Sequence, residues 1–295
     1  MIKYIKDTWN WFANYEKSPN FEVKIIADSI SGAGTRLTTF QLKYPRFIHG
    51  ELMTHRDFSR NASSSRAIPV QKMIAQVWHN PAMPVHWGAN QPGMKARQEL
   101  EGRKARAAKS LWRTAAKVAC VVAWGMTKVG LHKQVANRIL EPWQHMHTIV
   151  SATEFENFFT LRCHPDAQPE FQELARMMRM SYLVSVPRPT SGWHLPYVTD
   201  AELEELQLEK LIAISVARCA RVSYLTHDKK APDVEKDIAL HDALVSSVPI
   251  HASPAEHQAW PSGDPDTKFA NFREWIQYRA DIELRVLSGE INAKK

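Results

Sequence analysis

Cysteine is scarce in this chain: Cys120, Cys163 and Cys219 are the three among 295 residues, far apart and without a C-x-x-C pair. A disulfide framework and a cysteine-rich zinc module are therefore excluded. Glycine is sparse as well, at 11 residues, and no Walker loop with a Gly-Lys-Ser/Thr ending is present. The serines lack a G-x-S-x-G elbow, which argues against a serine hydrolase. Long hydrophobic runs are missing too: the longest, Val118 to Met126, lies between Lys117 and Lys128 and is too short to cross a bilayer. Lys3, Lys6 and Asp7 open the chain with no apolar stretch behind them, so no secretory signal is expected. What remains is globular. Apolar residues make up 44% and charged residues 23% of the chain, which excludes a wholly disordered or collagen-like polymer. Lys and Arg number 38 against 31 Asp and Glu, a net charge of +7; such a bias suits anionic ligands from nucleotides to nucleic acid and selects none of them. The expectation is a reduced, soluble, cytoplasmic protein.

The spacing predicts two strands, Glu22 to Ile30 and Thr35 to Tyr44, joined at Ser31-Gly32-Ala33-Gly34, with Leu37, Thr39 and Gln41 sharing a face of the second. Arg46 to Met53 follows as a short helix after Pro45. Thr54 to Ala67 is a polar loop, and residues 78–93, rich in Pro and Gly, are another. Helices are expected over Lys95 to Met126, Leu131 to Leu140 (stopped by Pro142), Pro169 to Tyr182, Asp200 to Ala217, Val234 to Val245 and Asn271 to Leu287. A structured segment is expected to begin at Thr153. Thr199 with Glu202 is a capping-box pattern. No repeat or sharp change of composition divides the chain. The expected architecture is a single α+β domain over 1–295, a mixed or antiparallel sheet with several helices, an N-terminal arm at 1–20 and a helical insertion at 78–130.

Thr54 to Arg66 (THRDFSRNASSSR) concentrates three arginines, a histidine and four serines. Hydroxyls and turn N–H groups cradle phosphate oxygens, and Arg adds charged bidentate donors. Composition alone leaves two readings, an anion site or a solvated loop. His132, His145 and His147 hint at a metal, but an H-x-H without an ordered carboxylate or thiol partner is a weak ligand pattern. The basic tract Lys95 to Lys117 has its positives spread around the helix and interrupted by Glu99 and Glu101, which favours a solvated helix over a nucleic-acid surface. Met146, Met177, Met178 and Met180 are expected in the core, as are Trp143 and Trp193.

The string His55, Arg56, Ser59, Asn61, Ser64, Arg66 resembles the signature R-H-R-x-x-S-x-N-E-x-S-x-R-Y of flavin-dependent thymidylate synthases. Thr39 to Phe47 resembles the lead-in to that signature. Asn137 to Pro142 (NRILEP) is similar to the family's A-R-x-x-L-P segment, and Asn157 to Arg162 with Ala167 to Glu170 to its N-F-x-x-L-R-x-x-x-x-A-Q-x-E segment. Two further pieces that the family carries before its signature stand here near the C-terminus. Ala220 to Tyr224 (ARVSY) resembles A-R-V-S-F, and His251 to His257 (HASPAEH) resembles H-x-T-P-x-E-H. The flavin-site pieces thus stand in a different chain order.

This resemblance implies C5 methylation of a pyrimidine deoxynucleotide, dUMP to dTMP, with FAD, NADPH and methylene-tetrahydrofolate, in a homotetramer with shared sites and without a cysteine nucleophile. It implies that Ser64, Ser65, Arg66, Arg138 and Glu51 meet the nucleotide, chiefly its phosphate, and that Arg162 is catalytic at the pyrimidine ring. By the same resemblance His55, Arg56, Asn61 and Asn157 face flavin or folate, and Ser223, His251, Ser253 and Glu256 line the flavin. Thr54, Ala62 and Ala67 depart from the signature's first Arg, its Glu and its Tyr, and Glu51 stands where the family commonly has Gln. A carboxylate there can accept from an amino group, as Glu does toward cytosine N4. Methylation or hydroxymethylation of dCMP, or a nucleotide-binding homologue without catalysis, are the alternatives.

Overall fold

The computed structural model describes residues 20–222, 233–247 and 249–290. Five strands form the main sheet: β1 (Glu22–Ile30), β2 (Arg36–Pro45), β3 (Ser59–Ala62), β4 (His145–Ala152) and β5 (Arg188–Pro189), in the order β3-β4-β2-β1-β5. All pairings are antiparallel except β1 with β5. Short strands β6 (Ala259–Pro261) and β9 (Trp275–Gln277) pair with each other, as do β7 (Lys268–Phe269) and β8 (Phe272–Arg273). The helices are α1 (His49–Leu52), α2 (Val70–His79), α3 (Gly102–Lys128), α4 (Lys133–Ala136), α5 (Glu156–Arg162), α6 (Pro169–Val184), α7 (Asp200–Glu205), α8 (Leu208–Arg221), α9 (Val234–Val245) and α10 (Tyr278–Leu287). The mixed sheet and its helices make this an α+β fold.

Strand pleating explains why the sheet is covered on both faces. Phe40, Leu42 and Tyr44 of β2, with Met146 and Val150 of β4, face α6, whose Phe171, Leu174, Ala175 and Met178 repeat at helical spacing. Phe58, Phe155, Phe158 and Phe159 complete that core. The alternate residues of β2 face the C-terminal segments: Leu37 packs with Trp275 and Phe272, Thr39 bonds His194, and Gln41 accepts from the Tyr197 hydroxyl. Leu37, Thr39 and Gln41 therefore share a face as their spacing predicts. A second cluster joins α2 to α3 through Met73, Val77, Ala116, Cys120 and Ala123, and a third joins α8 to α10 through Ile212, Ile214, Tyr278 and Ile282.

Several expected elements differ. The loop at Thr54 to Ala67 contains β3, because Ser59 and Asn61 find buried partners on neighbouring segments (described below). The segment Val70–His79 is helical, and His145–Ala152 is a strand buried along most of its length. The helix expected from Lys95 starts at Gly102, since residues 88–99 fold back on themselves with Gly88 bridged to Glu99. A Cβ at Gly88 would lie 2.2 Å from that of Ala96, so this close approach requires glycine. Leu131 to Leu140 is helical only over Lys133–Ala136, with a 3₁₀ segment, Asn137–Trp143, that contains Pro142. The Asp200 to Ala217 helix is interrupted at Leu206, which takes an extended conformation and packs into the third cluster. Residues 271–277 are strands and turns rather than helix, with Phe272 and Trp275 buried beside half-exposed Arg273 and Ile276. Most of the expected N-terminal arm lies outside the described residues.

Candidate active site

Pro45 ends β2, and the chain turns through a 3₁₀ segment (Arg46–Ile48) into α1. Arg60, on β3, reaches back to donate from one guanidinium nitrogen to the carbonyls of Leu52, Met53 and His55, at 3.3, 3.0 and 3.0 Å. Leu52 and Met53 close the short helix, where carbonyls lack the partners of a helix interior, and His55 lies just past it. The loop that carries His55 is thereby tied to the sheet. The helix α5, whose Phe158 packs against His55, delivers Arg162 from its last turn.

Arg162 is the centre of one cluster. Its Nε donates to His55 Nε2 at 2.9 Å, Nη1 to Glu51 Oε2 at 2.9 Å and Nη2 to Thr54 Oγ1 at 3.3 Å, while the guanidinium carbon lies 4.7 Å from the centre of the Phe171 ring. Thr54, the departure from the signature's first Arg, thus supplies a hydroxyl acceptor. His55 packs edge-on to Phe158, with ring centres 4.9 Å apart, and its pKa is lowered to about 4 by burial and then by the Arg162 and Arg60 charges. A neutral imidazole that accepts at Nε2 carries its proton on Nδ1. The arrangement fixes a planar cation at three donor positions and leaves it partly open to solvent.

A second cluster follows the other end of β3. The Glu141 carboxylate accepts from Arg138 at 2.8 Å, Ser65 Oγ at 3.2 Å and Arg46 at 3.0 Å. Ser64 is half-buried, and Arg66 and Arg138 are exposed, with the 54% exposure of the Arg138 side chain leaving its donors reachable. One carboxylate against two arginines, with Arg66 close by in sequence, leaves the cluster net positive, as an anion site requires. Arg46 and Glu141 are parts of it that the motif spacing does not announce. Arg60, equally unforeseen, sits at a variable position of the signature string.

The other expected residues are scattered around these clusters. Arg56 and Asn157 are exposed. Asn61 is buried and donates its amide to the Cys219 carbonyl at 2.8 Å. His251 and Ser253 are exposed, and Glu256 is ion-paired with Arg279. The turn Ser253–Glu256 packs against β3, so the C-terminal H-x-S-P-x-E-H segment does lie beside the signature strand. Gln277 secures that contact, donating to Ser59 Oγ at 2.7 Å and to the Glu256 carbonyl at 2.8 Å. Ser223 lies outside the described residues. His145 is enclosed between Gln76 and Asn20 at 3.1 and 3.2 Å. Beneath the sheet a buried polar chain runs Ser29, His194, Thr39, Ser151, His257, each link 2.7 to 2.8 Å long. Burial lowers the pKa of both histidines to about 3. Cavities open elsewhere among the described residues, one of 320 Å³ beside β1 and one of 740 Å³ between residues 86–97 and 166–170.

The profile of the thymidylate synthase complementing protein family matches residues 36–187, just over half of the chain and all of the two clusters just described. The chain belongs to that family. Among solved structures it is similar to the UMP/dUMP methylase PolB from Streptomyces cacaoi bound with 5-Br dUMP, at 16% identity over 56% of this chain and 90% of that one, with a TM-score of 0.46. It is also similar to thymidylate synthase X from Helicobacter pylori with FAD and dUMP, at 19% identity over 50% of this chain and 67% of that one, with a TM-score of 0.35. No curated protein sequence matches it.

Proposed function

We propose that the protein is a flavin- and folate-dependent enzyme that methylates C5 of a pyrimidine deoxynucleotide, converting dUMP to dTMP in a cytoplasmic homotetramer with shared sites. The observation that carries this reading is the fixed guanidinium of Arg162, held by Glu51, Thr54 and a neutral His55. Making C5 nucleophilic builds negative charge on the pyrimidine ring, and a preorganised cation stabilises it without reorganising during the reaction. Ser64, Ser65, Arg66 and Arg138 hold the nucleotide phosphate in this reading. The exposed donors Arg56 and Asn157, with His251 and Ser253 from the segment against β3, suit FAD and its phosphates. Bound flavin supplies the hydride chemistry, with NADPH as reductant and methylene-tetrahydrofolate as carbon donor. Burial raises the pKa of Cys120 and Cys219, and that of Cys163 to about 11, so these thiols are protonated at neutral pH and poor nucleophiles. A route that needs no enzyme thiolate agrees with that.

Glu51 favours a second reading. Its Oε2 is engaged by Arg162, and a carboxylate at the site can accept from the amino group of cytosine. Incubating the FAD-reconstituted protein with NADPH, methylene-tetrahydrofolate and either dUMP or dCMP, then separating the nucleotides by chromatography, distinguishes the two. The proposal predicts flavin absorbance at about 450 nm, a property of the cofactor, and dTMP from dUMP. A product from dCMP alone would establish the cytosine reading, and a protein that takes up no flavin and alters neither nucleotide would be a binding homologue.

A further inference from the structure

The long helix α3 carries a row of positive charge. Arg106, Lys109, Arg113 and Lys117 follow one another at steps of three and four residues, which sets them along one side of the helix, and all four are exposed. Among the described residues the side chains of Arg106, Lys109 and Arg113 have no ion pair or hydrogen bond, and that of Lys117 meets the Trp78 ring at 5.5 Å. Glu99 is already paired with His86 at 2.7 Å, and Glu101 stands before the first turn. Like charges one turn apart destabilise a helix. The chain's own contacts do not offset that cost, whereas a bound anion does.

Lys109 and Arg113 line a cavity of about 350 Å³ between α3 and the segment that follows α2, where His79, Asn80 and half-buried Trp87 form the other wall. That wall is fixed in place: the Ala82 carbonyl accepts from Trp112 Nε1 of α3 at 2.9 Å, and the Ala82 N–H donates to the Trp143 carbonyl at 2.9 Å. No carboxylate lines this cavity, whereas three others have Asp28, Asp242 and Asp166 in their walls. Two unpaired cations beside an amide, an imidazole and an indole suit an anion that carries a ring. None of these residues belongs to the two clusters of the candidate active site.

We propose that this cavity binds the polyphosphate chain of a nucleoside triphosphate, at a site separate from that of the substrate. A phosphate monoester carries about two negative charges, which Lys109 and Arg113 alone would meet. Arg106 and Lys117 stand about one turn beyond them on either side, in a row about 16 Å long at 1.5 Å per residue, so a longer anion engages all four. Trp87 gives the base a ring to stack on. A nucleic-acid strand would instead follow the open helix surface and make no use of the recess.

The test uses the full-length chain with ATP as the probe, followed by calorimetric titration and by thermal melting. Wild type should bind ATP, more weakly as salt is raised, and its melting temperature should rise with ATP. Lys109→Gln/Arg113→Gln should bind ATP about tenfold more weakly or worse and lose that rise. Without ATP it should melt no lower than wild type, because the substitutions remove a like-charged pair one turn apart; this separates lost binding from lost folding. Inorganic triphosphate should compete less well than ATP, for want of a ring against Trp87. Wild type that takes up no ATP, or a variant that binds it as wild type does, would overturn the proposal. Equal potency of inorganic triphosphate would overturn the nucleotide and leave a bare polyphosphate. A single-stranded DNA oligonucleotide that binds more tightly than ATP and depends on the same two residues would assign the row to nucleic acid instead. These readouts involve no turnover of dUMP, so their failure leaves the proposed activity untouched.

Discussion

Arg162 is held by a carboxylate, a hydroxyl and an imidazole at once, so neither its charge nor its geometry can be replaced separately. Arg162→Ala should lower kcat by about 10²- to 10³-fold, the usual effect of removing one preorganised charge donor. Arg162→Lys should recover little of it, because an ammonium cannot reproduce the planar fork. Single-turnover measurements on both variants check this; a kcat within a few-fold of wild type in Arg162→Ala would remove the residue from the chemistry. His55 adds a pH dependence. With its pKa lowered to about 4, it remains an acceptor through the neutral range, and activity lost through His55 should appear only as pH falls toward 4. A kcat profile of wild type against His55→Gln, whose side-chain carbonyl still accepts, checks this: the wild-type acid limb should shift or vanish in the variant. At this scale much was legible in the sequence. Glu51, Thr54, His55 and Arg162 lie in or beside recognisable strings, as do Ser65 and Arg138. Arg46, Arg60 and Glu141 fall inside such strings but not at positions the signatures mark, because their role is to hold other groups in place, and such bonds depend on tertiary neighbours rather than on spacing.

Elements with local signals were the readable ones. The capping box of α7 is formed as its spacing predicts: Thr199 accepts from the Glu202 N–H at 3.3 Å and Glu202 accepts from the Thr199 N–H at 2.9 Å. Thr199→Ala should cost about 1 kcal/mol in urea unfolding. The amphipathic pattern of α6 and the alternation of β2 were equally legible. By contrast β3 has a polar sequence, SRNA, and is a strand because Ser59 accepts from Asn271 and Gln277 while Asn61 donates to Cys219. No local window contains those partners. Strand β4 was obscured by its histidines and by burial on both faces, which erases alternation. The junction of α7, α8 and α9 rests on another nonlocal group. Asp237, almost fully buried, accepts from Arg218 at 2.9 Å and from Arg221 at 2.6 Å. Asp237→Ala leaves two cations short of a buried partner and should destabilise by about 3–5 kcal/mol, far more than the cap. Equal losses in the two variants would contradict this ranking.

At the scale of the whole molecule, five histidines among the described residues have lowered pKa values and set how stability responds to acid. His194, His257 and His145 are lowered to about 3, and His49 and His55 to about 4, in each case chiefly by burial. In the unfolded chain each titrates near 6.5, so between that value and the folded pKa the unfolded state binds the extra protons. Stability is therefore fully present above about pH 6.5 and is lost as pH falls toward 4, by up to about 1.4 kcal/mol per pH unit for each fully buried histidine. Urea midpoints at pH 7, 5.5 and 4.5 should fall in that order, and a flat series would contradict the neutral burial of His194 and His257. Chain order is the other property of this scale. Segments after residue 250 return to β3 and sit beside the signature loop, so pieces remote in sequence share one region of the fold. The resemblance pointed to that return, and the geometry of the contact required the fold. The central claim, that Arg162 and the loop around it serve C5 chemistry on a pyrimidine nucleotide, is tested most directly by tritium release. With FAD, NADPH and methylene-tetrahydrofolate, and C5-labelled dUMP and dCMP assayed in parallel, the wild-type protein should release tritium from one of them, dUMP in the favoured reading, and Arg162→Ala from neither. Equal release by both, or release by neither from a flavin-loaded protein, would contradict it.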